Sequence, residues 1–287
     1  MTATVEPGTT SATRMRARAH LRTRRAVDGA GRARTELAAL RSQAPLTLRP
    51  TIPRRTGPSA VDGAEPARVS LTAAAAGPVG GDDLALTVHV GAGTTLVLDE
   101  VSATLLLPGA DGARSLLRIR VCVEEGATLV WLPEPVIAAR GCHHVTDVAV
   151  DLAPDSRLLM REEVLLGRHG EASGRFRQLV RVHRDGRPVH RQDLRLGAEP
   201  GRSPVVVGAH RAVGSLLVVE PALPPVETTL LGEDGALFPL ACDGAALAQG
   251  LSADSIGLRG QLDRATALLD RPWTPRPTPT RRRDEHD

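Results

Sequence analysis

Apolar and polar residues alternate along most of this chain in short runs broken by glycine and proline, the pattern of half-buried β-strands. Leu84 to Val90 alternates cleanly, and Ser115 to Glu124 and Thr128 to Leu132, which Pro133 ends, predict further strands. His143 to Leu152 sets Val145, Val148, Val150 and Leu152 against Thr146, Asp147 and Asp151. Arg14 to Val27 alternates arginine with small or apolar residues and predicts a first strand. Gly29-Ala30-Gly31 turns it into a second strand, Arg32 to Arg41. Pro45 to Pro50, Val69 to Ala76, Thr94 to Leu107 and Arg157 to Leu166 predict further extended pieces, and Thr56 to Pro66 a loop. Within Leu179 to Leu196, Asp185-Gly186 is the sequence of a two-residue type I′ turn. Such a turn sets Arg184 opposite Arg187, Val182 opposite Val189 and Arg181 opposite His190. Arg181, His183, His190 and Gln192 then share one face, away from Val180, Val182 and Val189.

Periodicity of the helical kind comes late. Asp243 to Leu251 is one helical candidate. Ser255 to Leu269 is another, with Leu258, Leu262, Ala265 and Leu269 on one side. The expected fold is therefore predominantly β: many short strands in a β-helix-like or sandwich arrangement with two late helices. No fixed repeat period stands out. The expected organisation is a disordered tail over 1–13, a single β-rich domain over 14–270 and a disordered Pro/Arg-rich tail over 271–287.

Composition narrows the function. The chain has 287 residues, of which 41% are hydrophobic, enough for a substantial core, yet it holds only 2 Phe, 2 Trp and no Tyr. All 36 basic residues are arginine, and the net charge is only +3. With no lysine there is no phosphate-binding loop of the P-loop type. Few stacking aromatics and no basic stripe argue against nucleic acid. Cys122, Cys142 and Cys242 are odd in number and widely spaced, which argues for a reducing compartment rather than a disulfide framework. No run of about twenty apolar residues suggests a membrane helix, and no apolar leader is visible. The expected setting is the cytoplasm, with no membrane.

Candidate chemistry is sparse. No Ser, Cys or His stands in a recognised hydrolase context. Cys142-His143-His144 offers three metal donors in a row, of which Cys142 and His144 can share a face of a strand. His183 and His190 are diagonal neighbours in the predicted hairpin, roughly 7–8 Å apart. For both groups the alternative is a solvated surface.

The segment Gly77-Pro78-Val79-Gly80-Gly81-Asp82-Asp83 precedes the cleanest strand. Bare glycines permit a tight turn or close backbone approach, and Asp82 puts a carboxylate on it. With Arg41 to Pro50, Thr128 to Ile137 around Trp131-Leu132-Pro133, and Leu165-Leu166-Gly167-Arg168 followed by Gly170-Glu171, this segment resembles the urease accessory protein D family, UreD, also called UreH. The resemblance covers roughly Arg14 to Leu269. It implies a non-enzymatic scaffold for nickel insertion that docks on apo-urease and on accessory proteins F and G. It implies no tightly bound cofactor, only transient Ni²⁺ moving along an internal passage lined by Asp82 and Glu162, with Gly80 and Gly81 in the motif. The chain departs from the family pattern at Asp99-Glu100 and Thr104, and at Gln192. The alternative function is a metal-dependent enzyme on a β scaffold using Cys142 and His144.

Overall fold

The computed structural model describes residues 14–51, 65–197 and 207–269; the expected tails, and all but the last two residues of the loop expected over Thr56 to Pro66, lie outside these described residues. In chain order the strands are β1 (Arg16–Val27), β2 (Ala33–Arg41), β3 (Leu46–Pro50), β4 (Ala67–Ala73), β5 (Asp83–Val90), β6 (Thr95–Glu100), β7 (Thr104–Leu106), β8 (Ser115–Val123), β9 (Thr128–Leu132), β10 (Val136–Ala138), β11 (His143–Leu152), β12 (Arg157–Leu166), β13 (Arg175–Arg184), β14 (Arg187–Leu196), β15 (Ala212–Val219), β16 (Thr229–Gly232), β17 (Gly235–Pro239) and β18 (Ala245–Ser252). One helix, α1 (Ser255–Leu269), follows them.

Two sheets face each other. The first runs β14-β13-β11-β8-β5-β1-β2. The second runs β16-β17-β18-β15-β12-β9-β6-β4-β3, with β7 and β10 beside β12. From β4 to β13 the chain passes back and forth between the sheets, and each strand lies parallel to its equivalent one coil earlier. The centre of the molecule is thus a β-solenoid, in which each coil packs on its neighbours. Register stacks like on like: Leu86, Ile119, Val148 and Val180 in one sheet, Leu96, Leu129 and Leu158 in the other. All seven are buried between the sheets, and each buried aliphatic side chain contributes about 1.5–3 kcal/mol. The turns stack too. Gly93 N–H donates to the Glu125 carbonyl (2.9 Å) and Thr128 N–H to that of Thr94 (2.8 Å). Coil lengths are unequal: Leu84 lies over Leu117, Ser115 over His144 and His143 over Arg175. That irregularity hides the repeat in the sequence.

Two expectations are corrected. Asp243 to Leu251 is not a helix but holds most of β18. Its residues alternate, Ala245 and Leu247 into the inter-sheet core, Ala246 and Ala248 towards α1. A strand covered on both sides is apolar throughout and loses the two-residue signature. The hairpin register also slips. Arg184 does oppose Arg187, but a bulge follows, so His183 opposes Pro188 and Val182 opposes His190. Proline has no N–H to give the ladder, and the irregularity sits beside it. His190 and Gln192 therefore turn inward, while His183 stays outside.

Ser255 to Leu269 is helical as expected. Asp254 caps it, its Oδ1 accepting from Gly257 N–H at 2.8 Å. Leu258, Leu262, Ala265 and Leu269 are buried on the outer face of the second sheet. Close approach is allowed by a rung of glycines, Gly214, Gly250 and Gly235, aligned across β15, β18 and β17. A Cβ on Gly250 would lie 2.1 Å from Gln261 Oε1.

Candidate functional site

Between the sheets the apolar core is interrupted by a polar layer. Glu162 on β12, Ser215 on β15 and Gln249 on β18 are neighbours in one rung of the second sheet. On one side of that rung lie Met160, Leu217 and Leu247, on the other Val164, Val213 and Leu251. Facing them from the first sheet are Gln178, between buried Phe176 and Val180 on β13, and its diagonal neighbour Gln192 on β14. These five polar residues line a cavity of about 460 Å³ that reaches solvent beside the exposed Leu230 and Gln249, with Leu194 and Phe238 also on its lining.

Glu162 is buried, and Gln178 Nε2 donates to its Oε1 at 2.6 Å. Burial pushes its pKa from 4.5 up to about 7, because a carboxylate removed from water is disfavoured against its neutral form. The carbonyl oxygen Gln192 Oε1 is buried too, beside the His190 ring. The cavity thus offers one buried carboxylate, amide oxygens and a hydroxyl, and the exposed Glu233 and Asp234 also border it. Neighbouring Glu163 points the other way. It pairs with Arg161 (3.0 Å) and Arg259 (2.9 Å), and Arg259 reaches Glu134 (3.1 Å). That network fastens α1 to the sheet.

Cys142 and His144 are both buried, but neither is poised as a ligand. His144 Nδ1 lies 2.8 Å from Ser115 Oγ and Nε2 lies 3.1 Å from Thr146 Oγ1, so hydroxyls occupy both ring nitrogens. The ring stacks on Phe176 at 6.2 Å. Burial, helped by the charge of nearby His143, pushes its pKa down to about 3, and burial pushes the Cys142 thiol up to about 11. His183 and His190 are parted by the hairpin bulge. His183 faces Asp151 on the outside at 3.7 Å, and His190 lies on the inner side. Among the described residues no three His, Cys, Asp or Glu side chains are grouped to hold a metal ion.

The sequence profile of the UreD urease accessory protein family matches residues 15–285. The chain belongs to the UreD family. It is 41% identical over 247 residues to the urease accessory protein UreD of Streptomyces coelicolor, covering 84% of this chain and 93% of that protein. It is 40% identical over 284 residues to UreD of Parafrankia sp., 90% of each chain. It is 41% identical over 250 residues to urease accessory protein UreD 2 of Saccharopolyspora erythraea, 84% of this chain and 83% of the relative.

In this UreD chain the Gly-Gly-Asp segment is a latch. Asp82 is buried, and its two carboxylate oxygens accept from Met15 N–H (2.9 Å) and Val79 N–H (2.8 Å). Gly80 presses on the backbone of Gly109, where a Cβ would lie 2.4 Å from the Gly109 nitrogen, and Gly81 has φ of +99°. Asp82 does not line the cavity that holds Glu162. Sequence reading missed Gln178, Ser215 and Gln249. Only Gln178 left a signal, a polar residue at an inward position of an otherwise apolar alternation.

Proposed function

We propose that this chain is a non-catalytic accessory protein through which Ni²⁺ passes on its way into apo-urease, as cargo and not as a resident cofactor. It would work in a complex with accessory proteins F and G in the cytoplasm, where its unpaired cysteines would stay reduced. The supporting observation is the polar layer at Glu162. A cation in transit needs a hold strong enough to enter and weak enough to leave. One buried carboxylate among amide and hydroxyl oxygens, with the exposed Glu233 and Asp234 also on the lining, suits that demand better than a closed set of thiolates and imidazoles. Family membership supports the urease setting. Exposed Leu230, Ile256 and Leu268, on β16 and α1, supply apolar surface for docking. The enzyme alternative finds no support in the arrangement of Cys142 and His144, whose donors are bonded elsewhere or held protonated.

The test is to co-express the full chain with urease and accessory proteins F and G, wild type against Glu162→Gln. The variant keeps size and hydrogen bonding but cannot ionise. Urease should assemble with at least about tenfold less nickel, the loss of one charged contact, while the variant still co-purifies with its partners. Full nickel content with the variant would sink the proposal.

A further inference from the structure

The outer face of the first sheet is rich in arginine, and several of these charges are matched. Arg118 meets Asp83 at 2.8 Å, and Arg120 and Arg181 share Asp147. One end differs. Arg114, His143 and Arg175 stand at the same position in three successive coils, each just before an inward residue: Ser115, His144 and Phe176. Register sets His143 beside Arg175 and His144 beside Ser115, so the three side chains form a ladder on the outer face, about 4.8 Å per step. Among the described residues no acid lies within ion-pair distance of Arg114 or Arg175. The next rung adds Arg177 and Arg195, opposite each other across β13 and β14. These two share the single carboxylate of Asp193, at 2.7 and 3.4 Å.

These groups surround a depression of about 260 Å³ on the outer face, floored by Val145. Like charges directly opposite on neighbouring strands repel, so four guanidiniums against one carboxylate are a standing cost to the sheet. The strain registers on His143, whose pKa is held below its ordinary value by burial and then by Arg175 and Arg114. A bound anion would relieve it. Guanidiniums present flat forks of N–H donors that match the oxygens of a phosphate, and the charge excess exceeds what one carboxylate guest would neutralise.

We infer that this depression binds a phosphate-type oxyanion, free or as the terminal group of a nucleotide. The full-length chain is titrated calorimetrically with inorganic phosphate, with a nucleoside triphosphate and with a pentaglutamate peptide, at constant ionic strength. Phosphate should bind saturably, and Arg114→Gln and Arg175→Gln should each weaken it about tenfold, the loss of one charge-assisted contact. Arg187→Gln, at the far end of the hairpin, should leave it unchanged. Phosphate should also raise the melting temperature of the wild type and not of the Arg114→Gln/Arg175→Gln double variant, a readout that shows both remain folded. A triphosphate that binds more tightly than phosphate marks a nucleotide site; equal affinity marks a free oxyanion. Absence of saturable binding, equal loss in Arg187→Gln, or tighter binding of the acidic peptide would overturn the assignment.

Discussion

Glu162 carries its proton across a pH range in which an exposed glutamate has lost it, and the sign of the effect follows. Its folded pKa of about 7 lies above the unfolded 4.5. Between these values the folded state holds a proton that the unfolded state has released. Its contribution to stability is therefore fully present below about pH 4.5, falls as pH rises towards 7, and is level above. The size is about 3 kcal/mol. Urea denaturation of wild type and Glu162→Gln at pH 5 and pH 8 should show this difference in slope; parallel profiles would mean Glu162 is not confined as described. His144 runs the other way. Its folded pKa of about 3 lies below the ordinary 6.5, so its contribution is present above 6.5 and is lost as pH falls. At this scale the sequence was a poor guide. Cys142-His143-His144 reads as a ligand set until Ser115, a full coil earlier, is seen to take the imidazole. Glu162 was singled out by resemblance alone, and its companions Ser215 and Gln249 become visible only once the register across β12, β15 and β18 is known.

Elements were more legible where one face is wet. Leu84 to Val90 and Ser255 to Leu269 fall where the pattern puts them, because alternation and the helical stripe each record a single buried side. Asp243 to Leu251 misleads because α1 covers the second face of β18, and the hairpin misleads because a bulge beside Pro188 adds a residue to β14 that turn chemistry alone does not foresee. What fastens α1 is an ion-pair network that crosses from β12. Glu163 is almost fully buried, with Arg161 and Arg259 on either side. Removing one partner leaves charge buried with less compensation, a change that costs about 3 kcal/mol. Arg259→Ala should lower the denaturation midpoint accordingly and speed hydrogen exchange in Ser255–Leu269 before that in β11. Uniform exchange across both elements would show that the network does not set the stability of the helix locally.

At the scale of the molecule, the solenoid explains why a chain with few aromatics folds: each coil buries aliphatic side chains against the coil before it, and unequal coil lengths leave no period to read. The N-terminal strand joins this stack late in topology, since β1 runs parallel to β5 across three intervening strands. Asp82 holds that junction, taking the N–H of Met15 and of Val79. Asp82→Asn keeps one acceptor oxygen and turns an NH₂ towards the other donor, leaving a buried backbone N–H unsatisfied at a cost of about 1–3 kcal/mol. The loss should appear first as faster hydrogen exchange in Arg16–Val27. Urease co-expressed with the folded variant should still fill with nickel, in contrast to Glu162→Gln. If Asp82→Asn is instead as stable as wild type and yet urease emerges short of nickel, Asp82 belongs to the metal's route, and the latch is the wrong account of why a carboxylate follows the two glycines.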